Sequence, residues 1–323
     1  MANEKILEVK NLVVRFYTYE GVVEALDGVN LEIRKGEILG LVGETGCGKS
    51  VTSLSTLVLV PPPGAIEDGG IILNTQGDKV NLLQLNKEKL RTIRGSEISM
   101  IFQEPRAYLN PVYSVEDQIS EVLLVHRREE FLKRAIESLQ RKGKRSNLEL
   151  NAYKLMLKRP KSLATRIFSK FSSKRTLKME LHREVVQLLR DMEIPDPERV
   201  AKMYPHELSG GMAQRVVIAM ALSCNPKILL ADEPTTNLDV TVQAQILQLI
   251  ALLRKNFQSS ILYITHDLGV VAEICDRVAV MYAGNVVELA EVFEIFENPL
   301  HPYTRALLES IPRPGREFKS IPG

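Results

Sequence analysis

The sequence predicts a mixed α/β fold: a parallel sheet wrapped by helices, preceded by an N-terminal antiparallel β-ribbon and interrupted by an inserted α-helical subdomain. Three observations carry that prediction. From residue 37 onward, short apolar runs of strand length alternate with segments of helix length, the pattern of a buried parallel sheet. A glycine-rich turn, GETGCGKS, joins the first of these runs to a helix. Between about Ser114 and Tyr204 the pattern is helical only, with no strand-like run to continue the sheet.

At the N-terminus, Ile6 to Val9, Leu12 to Phe16 and Val29 to Ile33 alternate or cluster β-formers. Gly21, Asp27-Gly28 and Lys35-Gly36 break them, as turns in a ribbon do. Glu37 to Val42 is a buried strand, and Lys49 to Val60 the helix after the turn, stopped by Pro61-Pro62-Pro63-Gly64. Further strands are expected at Glu97 to Phe102, Ile228 to Asp232, Ile261 to Thr265 and Val278 to Tyr282, with helices at Gly211 to Ser223 and Thr241 to Asn256. The expected division is a sheet core from residues 1–113 and 205–290, a helical subdomain at 114–204, and a C-terminal extension at 291–323.

The chain has 323 residues, with 42 Lys and Arg against 40 Asp and Glu, but the balance is uneven. Between Arg127 and Arg183 stand 18 Lys and Arg against 5 Glu, a basic insertion near residues 127–180 of the helical subdomain. Leu148, Tyr153, Leu155, Leu157, Leu163, Ile167, Phe168 and Phe171 recur there at near-helical spacing. The block suits a helical hairpin with a solvated basic face, or a face toward anionic lipid headgroups. Cys47, Cys224 and Cys275 are too scattered for a metal site or a disulfide framework, which fits a reducing compartment. Charges stand where a signal peptide would be apolar, and no run approaches the roughly 20 apolar residues that span a bilayer, so any membrane association is expected to be peripheral.

Three motifs carry chemistry. GETGCGKS, Gly43 to Ser50, follows a strand and precedes a helix, the context a phosphate-binding loop requires. Gly43, Gly46 and Gly48 let backbone amides, including those of Glu44, Thr45, Cys47 and Val51, turn toward phosphate oxygens, assisted by the positive end of the helix. Lys49 reaches the β- and γ-phosphates, and Ser50 offers its hydroxyl to Mg²⁺. KILLADEP, residues 227 to 234, ends an apolar strand in two carboxylates. Asp232 suits the Mg²⁺ shell, and Glu233 suits the base that orients and deprotonates an attacking water. LSGGMAQR, residues 208 to 215, sets Ser209 and two glycines before a helix-compatible segment that begins near Met212, a pattern that also suits an ordinary N-cap serine.

In this order, the third motif resembles the signature sequence of ATP-binding-cassette (ABC) ATPases. MIFQEP (residues 100 to 105) resembles that family's Q-loop, PTTNLDVTVQAQIL (234 to 247) its D-loop, and ITHDLGVVAEICDRVAVMYAGNVVE (264 to 288) its switch-histidine region. The resemblance implies a P-loop NTPase fold, the ABC nucleotide-binding domain, hydrolysing MgATP. Two such subunits would pair head to tail, with Ser209, Gly210 and Gly211 on the γ-phosphate held by the partner. Gln103 would touch Mg²⁺ and the attacking water, His266 the γ-phosphate, and Asp239 the partner subunit. An aromatic residue before the phosphate loop would stack on adenine. Phe16 is the choice, with Tyr17 and Tyr19 as competitors and a purely core role for Phe16 as the alternative.

Met212 in the signature, together with NPLHPYTRALLESIPRP (residues 298 to 314), resembles the ATPases of dipeptide, oligopeptide and nickel importers, a group that also serves oligosaccharides. Peptide is the expected cargo. The resemblance implies a cytoplasmic, peripheral membrane position, two transmembrane permease subunits, a second and paralogous ATPase subunit, and, indirectly, an extracytoplasmic substrate-binding protein. Relatives commonly continue into a cysteine-containing tail; the sequence as read ends at Gly323 without one, and no iron–sulfur site is expected there. Asn237 stands where Ala or Gly is usual. The rival class, a soluble ABC protein acting on nucleic acid or the ribosome, usually carries two cassettes per chain, so no nucleic-acid partner is expected. A catalytically silent subunit is disfavoured because Lys49, Ser209, Asp232, Glu233 and His266 are all present.

Overall fold

In the computed structural model, residues 4–75, 78–141, 147–158, 175–236, 238–257 and 259–310 are described. The chain divides into two compact units, Met1–Glu104 with Asn225–Gly323, and Pro105–Cys224. The strands, all in the first unit, are β1 (Lys5–Thr18), β2 (Gly21–Arg34), β3 (Ile38–Val42), β4 (Gly64–Thr75), β5 (Asp78–Asn81), β6 (Ile98–Ile101), β7 (Ile228–Asp232), β8 (Ser260–Thr265), β9 (Arg277–Tyr282) and β10 (Asn285–Glu291).

One sheet has the order β2-β1-β4-β5 and is antiparallel throughout. The Asp27-Gly28 break read from the sequence is a bulge inside β2. Gly28 takes a φ of 74°, and the pairing jumps from Leu12↔Val29 to Val14↔Leu26. The second sheet has the order β10-β9-β3-β8-β7-β6, parallel except for β10. Every residue of β3, β7 and β8 is buried, which is why these strands are apolar runs and not alternating ones. Leu12, Val14, Ile71 and Leu73 of the first sheet join Leu39, Leu41, Leu230 and Ile264 of the second in one apolar cluster. A smaller cluster contains Val42, Val271, Val278, Val280, Ile295, Tyr303 and Leu308.

The sheet order positions the chemistry. Four neighbouring parallel strands, β3-β8-β7-β6, end at one edge, at the strand spacing of about 4.8 Å. Gly43 follows the first, His266 the second, Glu233 the third and Gln103 the fourth. Carboxyl ends of parallel strands are where open α/β sheets bind ligands. The helix after β3 spans Lys49–Thr56, shorter than the apolar pattern through Val60 predicts. Val58 turns to a φ of 53° and the Leu59 amide returns to the Leu54 carbonyl at 2.8 Å. Arg94 donates to the carbonyls of Leu57 and Val58 (2.8 and 2.9 Å), satisfying the helix end.

The second unit contains helices Val115–His126, Arg128–Arg141, Asn147–Lys158, Arg175–Asp191 and Gly210–Leu222. It therefore takes in the signature helix as well as the 114–204 stretch. Ile119, Leu123, Phe131, Tyr153, Leu189 and Val216 are buried in it. Two charges of the basic block are internal fasteners. Arg127 binds Glu130 and Glu184 at 2.8 Å and the Ser223 carbonyl at 2.9 Å, with its guanidinium 5.3 Å over the Phe131 ring. Arg134 shares both glutamates. The rest of the block at residues 142–146 and 159–174, including Leu163, Ile167, Phe168 and Phe171, lies outside the described residues, as do Asn237 and residues 311–323. Among the described residues no helix is long and apolar enough to cross a membrane.

Candidate active site

The phosphate loop leaves β3 through Gly43 and enters the Lys49–Thr56 helix through Gly48, with φ of 154° and 107°. A Cβ on Gly43 would lie 2.2 Å from the Met281 carbonyl oxygen, and one on Gly48 would lie 2.8 Å from that of Ala25, so both positions need glycine for space as well as for conformation. Glu44, Thr45, Gly46 and Ser50 are exposed, Val51 is half-buried, and Cys47 and Lys49 are buried. Lys49 Nζ donates to the carbonyls of Gly43 (2.8 Å) and Glu44 (2.7 Å), which holds the ammonium inside the curl of the loop. Its third contact is Cys47 Sγ at 3.8 Å, a weak acceptor that a phosphate oxygen displaces readily. Burial pushes the Cys47 thiol up despite the adjacent Lys49.

At the end of β7 the two carboxylates part, Asp232 as the last residue of the strand and Glu233 as the first beyond it. Asp232 is buried, with the Ser50 hydroxyl and the Lys49 ammonium acting to favour its charged form. Burial pushes its carboxyl up, and its Oδ1 has no hydrogen-bond partner among the described residues. A buried carboxylate oxygen left without a donor costs about 1–3 kcal/mol or more, a cost that a bound cation would relieve. Among the described residues no group of three His, Cys, Asp or Glu could hold a metal. One carboxylate and one hydroxyl suit Mg²⁺, which keeps waters and takes phosphate oxygens as its remaining ligands.

Glu233 is turned away by a left-handed backbone, φ 45°, with its amide bound to the Ile264 carbonyl of β8 at 2.9 Å. Strained conformations of this kind persist where the surroundings over-determine them, often at reaction centres. Its Oε2 accepts from Gln103 Nε2 (2.8 Å) and Thr236 Oγ1 (2.9 Å), and its Oε1 lies 3.1 Å from His266 Nδ1. Gln103, Glu233 and His266, far apart in sequence, are thus one hydrogen-bonded group, and the His266 side chain is 59% exposed at its rim. Such a carboxylate can orient and deprotonate a water while its neighbours hold it in place.

Asp239 is exposed and accepts from the Val242 amide at 3.0 Å, capping the Val240–Phe257 helix. In the second unit, Ser209 caps the Gly210–Leu222 helix through the Met212 amide at 3.3 Å, with Gly210 and Gly211 in its first turn. Phe16 is half-buried against Gly64 and the inter-sheet core, Tyr17 is 51% exposed with its hydroxyl on Glu67, and Tyr19 is 97% exposed. Two contributors escaped the sequence reading. Thr236 could have been noticed as a hydroxyl three residues beyond the base. Tyr303, whose hydroxyl accepts from the Glu44 amide across 259 residues of chain, left no local signal.

Comparison with known proteins gives the family and the fold. A family profile described as ABC transporter matches residues 26–236, and another described as oligopeptide/dipeptide transporter, C-terminal region, matches residues 287–323. The chain is 44% identical over 322 residues to the probable peptide ABC transporter ATP-binding protein y4tR of Sinorhizobium fredii, covering 98% of this chain and 81% of the relative. It is 44% identical over 324 residues to the dipeptide transport ATP-binding protein DppD of Bacillus subtilis, covering 99% and 82%. Among solved structures, the dimeric post-hydrolysis ATP-binding cassette MJ0796 bound to ADP and Pi matches with a TM-score of 0.62 at 23% identity, over 88% of this chain and 98% of that one. At that identity the likeness concerns the fold.

Proposed function

The chain belongs to the ABC transporter family as an ATP-binding subunit, and from that membership we propose that it hydrolyses ATP to drive peptide import, working as one of two paired cassettes. The observation that carries this reading is the convergence of Gln103, Thr236 and His266 on Glu233, at the sheet edge where β3 delivers the phosphate loop. The C-terminal match and the relatives named for peptide and dipeptide transport support peptide as the cargo.

The chain's own groups divide the work. Backbone amides of the Gly43–Ser50 loop and Lys49 hold the phosphates, and Phe16 takes the adenine face. Ser50, Asp232 and Gln103 would hold Mg²⁺, which would supply neutralisation of the phosphoryl charge. Glu233 aligns the attacking water and takes its proton. His266 steadies Glu233 and reaches the γ-phosphate from the rim. Ser209, Gly210 and Gly211 act on nucleotide held by the second cassette, a paralogue, with Asp239 at the shared boundary. Differential affinity for ATP and ADP between the closed and open pair is what moves the two permease subunits. The subunit sits peripherally at the cytoplasmic face, and a substrate-binding protein delivers cargo on the other side.

Uptake of labelled oligopeptide, oligosaccharide and Ni²⁺ by cells lacking this chain tests the reading. Peptide uptake alone should fall, and should be restored by the wild-type chain but not by Lys49→Ala. Intact peptide uptake with loss of either other cargo would overturn the peptide assignment.

A further inference from the structure

We propose that the C-terminal helix Pro302–Glu309 braces the phosphate loop, and that Tyr303 is the positioning residue through which it acts. The inference rests on reading GETGCGKS as the MgATP site.

Tyr303 is 7% exposed, and its phenolic oxygen accepts a hydrogen bond from the Glu44 amide at 3.1 Å. Glu44 is also the residue whose carbonyl holds Lys49 Nζ at 2.7 Å. One peptide unit either side of a single Cα therefore carries both the brace and the anchor of the phosphate-binding ammonium. Tyr303 belongs to the same buried cluster as Val42, the residue before the loop, and its ring centroid lies 4.5 Å from that of Tyr282.

The far end of the brace is fixed as well. The Glu288 carboxylate of β10 accepts from the amides of Leu300 (2.8 Å) and His301 (3.0 Å), and His301 Nδ1 accepts from the Tyr303 amide at 3.2 Å. These bonds hold Glu288 below its usual carboxylate range against the effect of burial. A second tether comes from the turn between β9 and β10, where the Gly284 amide donates to the Cys47 carbonyl at 3.0 Å. The loop is thus held from inside by Lys49 and from outside by two elements that follow it in the chain by more than two hundred residues. Such outer supports set how closely a site keeps its productive geometry.

Tyr303→Phe removes the acceptor and keeps the ring, so the full-length chain should fold normally. Binding of a fluorescent ATP analogue with Mg²⁺ should weaken by about two- to tenfold, the worth of one neutral hydrogen bond. The KM for ATP should rise by the same factor, kcat should change less, and amide hydrogen exchange at Glu44 should quicken while β7 and β8 keep their protection. A merely structural role would lower the unfolding midpoint and leave affinity and loop exchange alone. Wild-type affinity and wild-type exchange at residues 43–48 in Tyr303→Phe would overturn the brace. Lys49→Ala is run alongside: a wild-type chain that binds MgATP no better than this variant removes the ATP-site reading itself, whereas normal wild-type binding with an unaffected Tyr303→Phe removes only the brace.

Discussion

Glu233→Gln isolates the base from its framework. The glutamine has the same length, and its amide oxygen can sit where Oε2 accepts from Gln103 and Thr236 at 2.8 and 2.9 Å. Its NH₂ then faces His266 Nδ1, at the 3.1 Å position now held by Oε1, and donates to it when the ring proton sits on Nε2. All three contacts survive, so stability should change by less than about 1 kcal/mol, the size of a single net hydrogen bond. What is lost is the ability to take a proton, worth about 10²- to 10⁴-fold in rate. At 1.36 kcal/mol per decade that is about 2.7–5.4 kcal/mol of barrier. MgATP affinity should stay near wild type, because Lys49 is bonded to Gly43 and Glu44 and not to Glu233. The assay pairs turnover in the assembled transporter with light scattering of the full-length variant in MgATP, alone and mixed with a second cassette. Slow turnover should trap an ATP-bound pair. Turnover within about threefold of wild type would refute the assignment of the base, the expected loss being at least a hundredfold. Absence of any dimer, alone or mixed, would refute the paired site.

Ser209→Ala separates capping from catalysis. Losing the bond to the Met212 amide should cost about 1 kcal/mol in denaturant melts, while turnover falls more than about tenfold and MgATP affinity of the isolated chain is kept. Gly48→Ala, whose Cβ would meet the Ala25 carbonyl oxygen at 2.8 Å, should destabilise by about 2–3 kcal/mol and abolish nucleotide binding. Gly46→Ala, with nothing within 4 Å of its Cβ, should cost only the conformational part, about 1–2 kcal/mol. Arg127 holds the Glu130 carboxyl below its usual 4.5, so the pair stabilises the fold above that pH and the contribution is lost as pH falls through the lower folded value. Urea midpoints of wild type and Glu130→Gln should therefore differ well above pH 4.5 and converge well below it.

The parts of the site legible in sequence were those written in contiguous residues. GETGCGKS declares itself because a tight phosphate loop needs glycines at fixed offsets, and the all-buried strands read as unbroken apolar runs. The helix end at Thr56 was not legible, because Leu57 to Val60 carry no Gly, Pro or polar residue to mark a stop, and it is Arg94, distant in sequence, that caps it. Strand alternation suggested that Asp232 and Glu233 differ, but the strand ends at Asp232, and the left-handed turn that aims Glu233 at Gln103 and His266 depends on its amide's bond to β8. The pairing of Arg127 and Arg134 with shared glutamates was hidden for a similar reason. Their partner Glu184 lies on a helix far along the chain, and a count of charges cannot show who meets whom.

The sheet order also has a consequence for how the protein is made. Strand β3 has only β8 and β9 as neighbours, and Gly36 at its start donates to Ser260 across 224 residues of chain. On a ribosome adding about 5–20 residues per second, that separation is about 10–45 seconds of synthesis. Throughout that interval β1 and β2 can zip into their hairpin, while the strand carrying the phosphate loop emerges with both edges bare. Every residue of β3 is apolar or glycine, so the nascent chain carries an adhesive segment that only its own last third can cover. Any message truncated before β8 is complete yields a chain whose central strand is never covered. Such fragments belong to the clientele of chaperones and proteases, not to the pool of partly active subunits.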